Sequence, residues 1–183
     1  MMVVGIVGLP ASGKGEFSRV AREMGIHVVV MGDVIRQAVL AAGEAPTDEH
    51  LGRMGNHLRA ERGMDAIAQA CIPIIEQQEA PLVVVDGIRG EAEVLAFRRH
   101  FEQFRLVCIN ASFPTRLRRL QERKRSDDLH LAEDLLQRDK RELSWGLGEA
   151  MEGAEYILEN EEDLRTFRAQ AEALLNVFIQ ECG

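Results

Sequence analysis

The run Gly8, Leu9, Pro10, Ala11, Ser12, Gly13, Lys14, Gly15 constrains this chain more than any other eight residues. It follows a short apolar run, Val3–Val7, and opens a stretch of helical period over 14–24. Glycines at this spacing let the backbone wrap so that its N–H groups converge on one anion. The helix behind the wrap adds the partial positive charge of its N-terminus. Lys14, at the end of the wrap, is placed to reach the β- and γ-phosphates of a bound nucleotide such as ATP. Preceding strand, spacing and following helix all agree on a phosphate-binding P-loop. The 22 basic residues include only three lysines, Lys14, Lys124 and Lys140, and one falls here. One position departs from the usual pattern. A Ser or Thr hydroxyl after the lysine would hold Mg²⁺, but this chain has Gly15 and then Glu16. A carboxylate in the first turn suits the helix dipole, which is the simpler reading; contact with the water shell of a metal is the other.

Further apolar runs follow at His27–Met31, Leu82–Val85, Leu106–Asn110 and, more weakly, 154–159. Being apolar on both faces, they suit buried parallel strands. Helical periods fill 33–42, 48–62, 65–79, 91–102, 115–124, 131–144 and 164–181. This alternation predicts an α/β domain over 1–183, about five parallel strands covered on both sides, a three-layer sandwich. The gap between the second and third strands is too long for one crossover helix, so 34–80 should hold a helical insert. A second excess, at 111–153, should also be helical and project from the sheet, with a short helical lid over 115–146. Thr47 is placed to cap the helix after the Gly43–Pro46 break. The third strand ends at Asp86, beside the P-loop strand, where an acid can hold Mg²⁺ directly or through water.

With 183 residues the chain can bury a core without disulfides or a structural metal. Thirty acids against 22 bases give a net charge of −8, which argues against nucleic-acid binding. The charge is uneven: 116–141 holds nine bases and six acids, while 142–183 holds ten acids and two arginines. Cys71, Cys108 and Cys182 are far apart and fit reduced thiols in the cytoplasm. No apolar stretch is long enough for a membrane helix, and the N-terminus reads as a strand rather than a signal peptide. Oligomeric state is not readable from these features.

Met31-Gly32-Asp33-Val34-Ile35-Arg36 resembles the Gly-Asp-x-x-Arg segment of adenylate kinases, and Asp86-Gly87-Ile88-Arg89 resembles their Asp-Gly-Phe-Pro-Arg. The resemblance implies that Arg36 and Arg89 hold the phosphate of an acceptor. Asp33 reads as a helix N-cap, or as a group that orients or deprotonates the acceptor, as in dephospho-CoA kinases. Gly15 after the lysine is also found in adenylate kinases. The chain lacks their proline, so Arg89 comes one residue early, and Glu93 stands where they carry the glutamine that reads adenine. Arg125-Ser126-Asp127-Asp128 with Arg138 resembles their lid, implying that Arg125 and Arg138, then Arg119, Arg123 and Arg141, close over the transferring phosphoryl group. Asn160 falls where many P-loop kinases contact adenine through backbone. Trp145 offers a stacking face or, more simply, packing against the sheet.

Over nearly its full length the chain resembles an archaeal family of P-loop proteins related to adenylate and dephospho-CoA kinases. That resemblance implies a nucleoside monophosphate kinase-like P-loop NTPase fold and transfer of the γ-phosphoryl of Mg-ATP to a small phosphate-bearing acceptor, with a nucleotide the first expectation. Two alternatives stand beside it. A dephospho-CoA kinase-like enzyme would accept on a hydroxyl and need Asp33 as base. A regulatory or assembly module would hydrolyse ATP slowly and phosphorylate nothing.

Overall fold

The computed structural model describes residues 1–124 and 131–182. Strand β1 (Met2–Val7) leads through the P-loop into helix α1 (Lys14–Glu23), and β2 (His27–Val30) follows. Three helices, α2 (Met31–Ala41), α3 (Asp48–Arg62) and α4 (Ala66–Glu76), precede β3 (Leu82–Asp86). Then come α5 (Glu91–His100), β4 (Gln103–Asn110), α6 (Phe113–Lys124), α7 (Leu131–Leu143), α8 (Leu147–Glu152), β5 (Tyr156–Glu159) and α9 (Leu164–Glu181). The five strands form one parallel sheet in the order β2-β3-β1-β4-β5.

Alternation along β1 sorts the core into two layers. Met2, Val4 and Ile6 point toward Phe17, Val20 and Ala21 of α1 and Phe167, Ala171, Leu175 and Phe178 of α9. Val3 and Val7 point toward Ile67, Cys71 and Ile75 of α4, Val94 and Phe97 of α5, and Leu147 of α8. Every β1 residue is buried on both faces, so the strand reads as an unbroken apolar run. Gly5 interrupts it for a packing reason: a Cβ there would lie 2.4 Å from Ile88 and 2.7 Å from Phe104. Burial raises the thiol of Cys71 to about 12 and that of Cys108 to about 11, so neither is a reactive thiolate near neutral pH.

Two local expectations differ from the structure. Met31 belongs to α2 rather than to β2, because the chain passes from Val30 into the helix without a loop. Asp33 therefore sits inside the first turn and is not the cap. Helix α8 lies in the 111–153 excess but beyond the helical period that ends at 144: its six residues between Gly146 and Gly153 are too short to show a period of their own. Thr47 caps α3 as expected, its side chain accepting from the His50 N–H at 3.2 Å.

The chain runs from β1 to one side and from β3 to the other, so the crevice at the carboxyl ends of these neighbouring strands is the topological switch point. The P-loop leaves β1 there and Asp86 ends β3 there, with Ile6 and Asp86 in register.

Candidate functional site

The P-loop is held in a form that only its own residues permit. Gly8 (φ 150°) and Gly13 (φ 118°) lie in the region that favours glycine, and Ala11 (φ 63°) is forced into it. A Cβ on Gly8 would lie 2.4 Å from the Ile109 carbonyl oxygen, and one on Gly13 2.2 Å from Asn160 Nδ2. By contrast, nothing lies within 4 Å of a Cβ at Gly15, so no steric demand explains glycine at that position. Lys14 Nζ donates to the carbonyls of Gly8 and Leu9 across the loop. Burial lowers the ammonium to about 8, with Arg89 and Arg138 adding to the shift and Glu142 and Asp86 opposing it. The buried Ser12 hydroxyl has no hydrogen-bond partner among the described residues, a feature that suits an anion seated in the loop.

Glu16 turns away from the loop. Burial pushes its carboxyl up, but hydrogen bonds from Arg19 (2.8 Å) and Arg168 of α9 (2.6 Å) outweigh this and hold it below the usual range. It lines a cavity of about 440 Å³ behind the P-loop, together with Gly13, Arg118, Arg119, Asn160 and Phe167. Asn160 is buried there, donating to the Ser12 carbonyl at 2.8 Å. Arg119 donates to the carbonyls of Ser12 and Asn160 and to Asn160 Oδ1. Arg116 is also structural: a buried two-bond pair with Asp139 at 2.8 Å joins α6 to α7, and a further bond reaches the Pro10 carbonyl.

A second cavity, of about 300 Å³, opens on the other side of Lys14. It brings together Lys14, Asp86, Arg36, Arg89, Arg138, Arg141 and Trp145 from the sequence-derived set, and adds Arg59. Asp33 does not line it; it is half-exposed on the outer side of α2, where Arg36 donates to it at 2.6 Å. Arg125 lies outside the described residues. Asp86 Oδ2 accepts from the buried Ser18 hydroxyl at 2.7 Å. Ser18 is one turn beyond Lys14 on the same face of α1, a spacing of four that could have marked it in the sequence. Among the described residues no cluster of three or more His, Cys, Asp or Glu side chains could cage a metal. One carboxylate, with phosphate oxygens and water supplying the rest, is nevertheless an ordinary Mg²⁺ arrangement, and Asp86 fits it.

Buried carboxylates tie down part of the arginine set. Arg89 pairs with Glu142, which is buried. Arg59 donates to Glu93 at 2.9 Å, with side-chain exposures of 4% and 1%. The other Glu93 oxygen accepts from the Arg89 N–H at 2.7 Å. Burial raises the Glu93 carboxyl, opposed by the nearby guanidinium. Trp145 does not pack on the sheet: its indole N–H donates to Asn56 at 3.0 Å and its ring faces arginines. The adenylate kinase pattern marks the Glu93 position, but no local motif announces Arg59 or either pairing, because the pairs close over 34 and 53 residues of chain.

A sequence profile of the AAA domain family matches residues 4–142. A UPF0200 protein of Methanoregula boonei is 59% identical over 181 residues, covering 99% of this chain and all of that one. The chain belongs to the UPF0200 family. Its fold is P-loop kinase-like. TT1252 from Thermus thermophilus superposes on this UPF0200 chain with a TM-score of 0.65 at 19% identity over 96% of each chain. Dephospho-CoA kinase from Campylobacter jejuni does so with a TM-score of 0.57 at 12% identity over 95% of each. At these identities the likeness carries the fold alone. No helix among the described residues is long and apolar enough to cross a membrane.

Proposed function

We propose that this chain is a phosphotransferase moving the γ-phosphoryl of Mg-ATP onto a small phosphate-bearing acceptor, with nucleotides the first class to test. The observation that carries the reading is the shared cavity: Lys14 of the P-loop and Asp86 at the end of β3 meet Arg36, Arg89 and Arg138 around one space of about 300 Å³. A phosphoryl transition state spreads negative charge over three oxygens, and planar guanidinium groups meet it with directed bonds. In this reading the Gly8–Gly15 backbone cradles the donor phosphates, and Lys14 and Arg138 neutralise charge developing between donor and acceptor, with Arg125 as a further lid group. Glu16 borders the donor-side cavity, and Arg36 and Arg89 grip the acceptor phosphate. Mg²⁺ would neutralise the β- and γ-oxygens, and Asp86, fixed by Ser18, would hold it.

The position of Asp33 favours a phosphate over a hydroxyl acceptor. A hydroxyl needs a base within hydrogen-bond reach of its proton, and Asp33 is held by Arg36 away from the cavity lining. A phosphate oxygen is already ionised and needs only to be positioned. ATP is a cytoplasmic metabolite, and the cytoplasm is where this activity belongs. The test is turnover of purified protein with Mg-ATP and a panel of nucleoside monophosphates, sugar phosphates and dephospho-CoA. Phosphorylation of a phosphate-bearing compound supports the reading; ADP release independent of every acceptor would replace it with an ATP-hydrolysing module.

A further inference from the structure

We propose that the acceptor carries a second oxyanion besides the phosphate that receives the phosphoryl group, and that Arg59 and Arg141 bind it at the α3 wall of the cavity. The inference rests on the phosphotransferase reading and narrows its acceptor.

Three guanidinium groups crowd one indole. The central carbons of Arg59, Arg141 and Arg89 lie 4.4, 5.8 and 6.0 Å from the centre of the Trp145 ring. Among the described residues two carboxylates answer them: Glu93 takes Arg59 and Glu142 takes Arg89. Among the described residues no carboxylate pairs with Arg141. Two nitrogens of the cluster, Arg59 Nη1 and Arg141 Nε, are buried without a hydrogen-bond partner among the described residues. Buried donors in folded proteins are rarely left so unless something else completes them. The Arg59 side chain is more than nine-tenths buried and lines the cavity.

Helix α3 is hollowed to admit these two groups. A Cβ on Gly52 would lie 3.3 Å from Arg141 Nη1, and one on Gly55 3.2 Å from Arg59 Nη1. Two interior glycines weaken a helix, and neither has the positive φ that would require one. What they provide is room for the guanidinium groups. The rest of the lining indicates what is bound. Among the described residues it contains no Ser, Thr, Asn or Gln side chain, so none of them aims a neutral side-chain amide or hydroxyl at the edge of a base. Arg59 already lies over the ring of Trp145, which removes that face as a stacking platform. Recognition here is by charge, and the ligand class is a compact molecule with a phosphate and a second phosphate or carboxylate.

The test is calorimetric binding with the P-loop filled by ADP and Mg²⁺, so that probes report on the acceptor cavity. The probes are AMP, with one anionic group, 3-phosphoglycerate, with phosphate and carboxylate, and fructose 1,6-bisphosphate, with two phosphates. At least one two-anion probe should bind about 10- to 100-fold more tightly than AMP, the range for one or two charge-assisted bonds. Which of the two gains more tells carboxylate from phosphate. Arg141→Met should remove about 10-fold or more of that advantage, read as the ratio of two-anion to AMP affinity in the same variant. Arg59→Met alone strands a buried carboxylate and could unfold the chain, so Arg59→Met is combined with Glu93→Gln, which should have the same effect as Arg141→Met. Equal affinity for all three probes, or an advantage that survives both variants, overturns the inference. ADP binding in the same samples separates the two readings: its absence from the wild type strikes the phosphotransferase assignment, while its presence without a second-anion advantage strikes only this one.

Discussion

Arg119 and Arg59 face each other across the P-loop and spend their charge differently. Arg119, on the α9 side, bonds the backbone of Ser12 and Asn160 and so serves the loop itself. Arg59, on the α3 side, gives one nitrogen to Glu93 and keeps another buried without a partner among the described residues. The same contrast runs through their neighbours. Glu16 and Asn160 have their polar groups answered within the chain, whereas Arg138 and Arg141 each hold a buried nitrogen without a partner among the described residues. A cation satisfied by the fold is architecture. A cation the fold leaves half-satisfied is kept for something that arrives.

The largest blow to that contrast should come from Arg59→Met. Leaving Glu93 buried and unpaired should cost about 3–5 kcal/mol of folding stability, read by urea unfolding. On the other side, Arg168→Ala breaks solvent-screened pairs with Glu16 and Glu23 and should cost far less. Similar losses in the two variants would erase the distinction. Next comes Lys14→Ala, which should weaken ATP binding about 100-fold in calorimetry, for two lost charge-assisted phosphate bonds; an unchanged isotherm would remove the P-loop from the argument. Ser18→Ala should raise the Mg²⁺ concentration needed for tight ATP binding about 10-fold, while binding of metal-free ATP stays as it was.

A pH series sharpens the role of Lys14. Its ammonium is lowered to about 8, and phosphate favours the charged form. ATP affinity should therefore be full below pH 8 and fall as pH rises through 8, with proton uptake on binding above it. Without ligand the sign reverses. The unfolded chain binds more protons than the folded one between pH 8 and the ordinary lysine value, so this residue's contribution to stability rises with pH there. A flat affinity profile from pH 7 to 9 would exclude Lys14 as the titrating contact. The smallest effect belongs to Gly15→Ala, which meets no neighbour and should stabilise α1 by about 0.5–1 kcal/mol without weakening ATP binding.

Much of the fold was legible because its signals are local. The five apolar runs became five parallel strands, and the P-loop lies between β1 and α1, because strand, turn and helix there are consecutive in the chain. Arg36, Arg89, Asp86 and Lys14 reach one cavity because each follows the end of a strand, where a parallel sheet collects its loops. What could not be read depends on partners distant in sequence. Glu93 stands out in the sequence only as a departure from the adenine-reading glutamine of adenylate kinases, and nothing near it in the chain shows that α3 brings Arg59 onto it. Trp145 looks like core until α8, itself too short to see, sets it against three arginines. Asp33 failed as a cap because β2 passes into α2 without a linker.

Gly52 and Gly55 leave a mark that can be carried to other sequences. Each glycine makes room for one arginine far along the chain, Gly52 for Arg141 and Gly55 for Arg59. A relative that has exchanged Arg141 for a short side chain is released from glycine at 52, and an alanine there would strengthen its α3. The four positions should therefore be inherited as two linked pairs. A relative that breaks a pair is where a different acceptor should be sought.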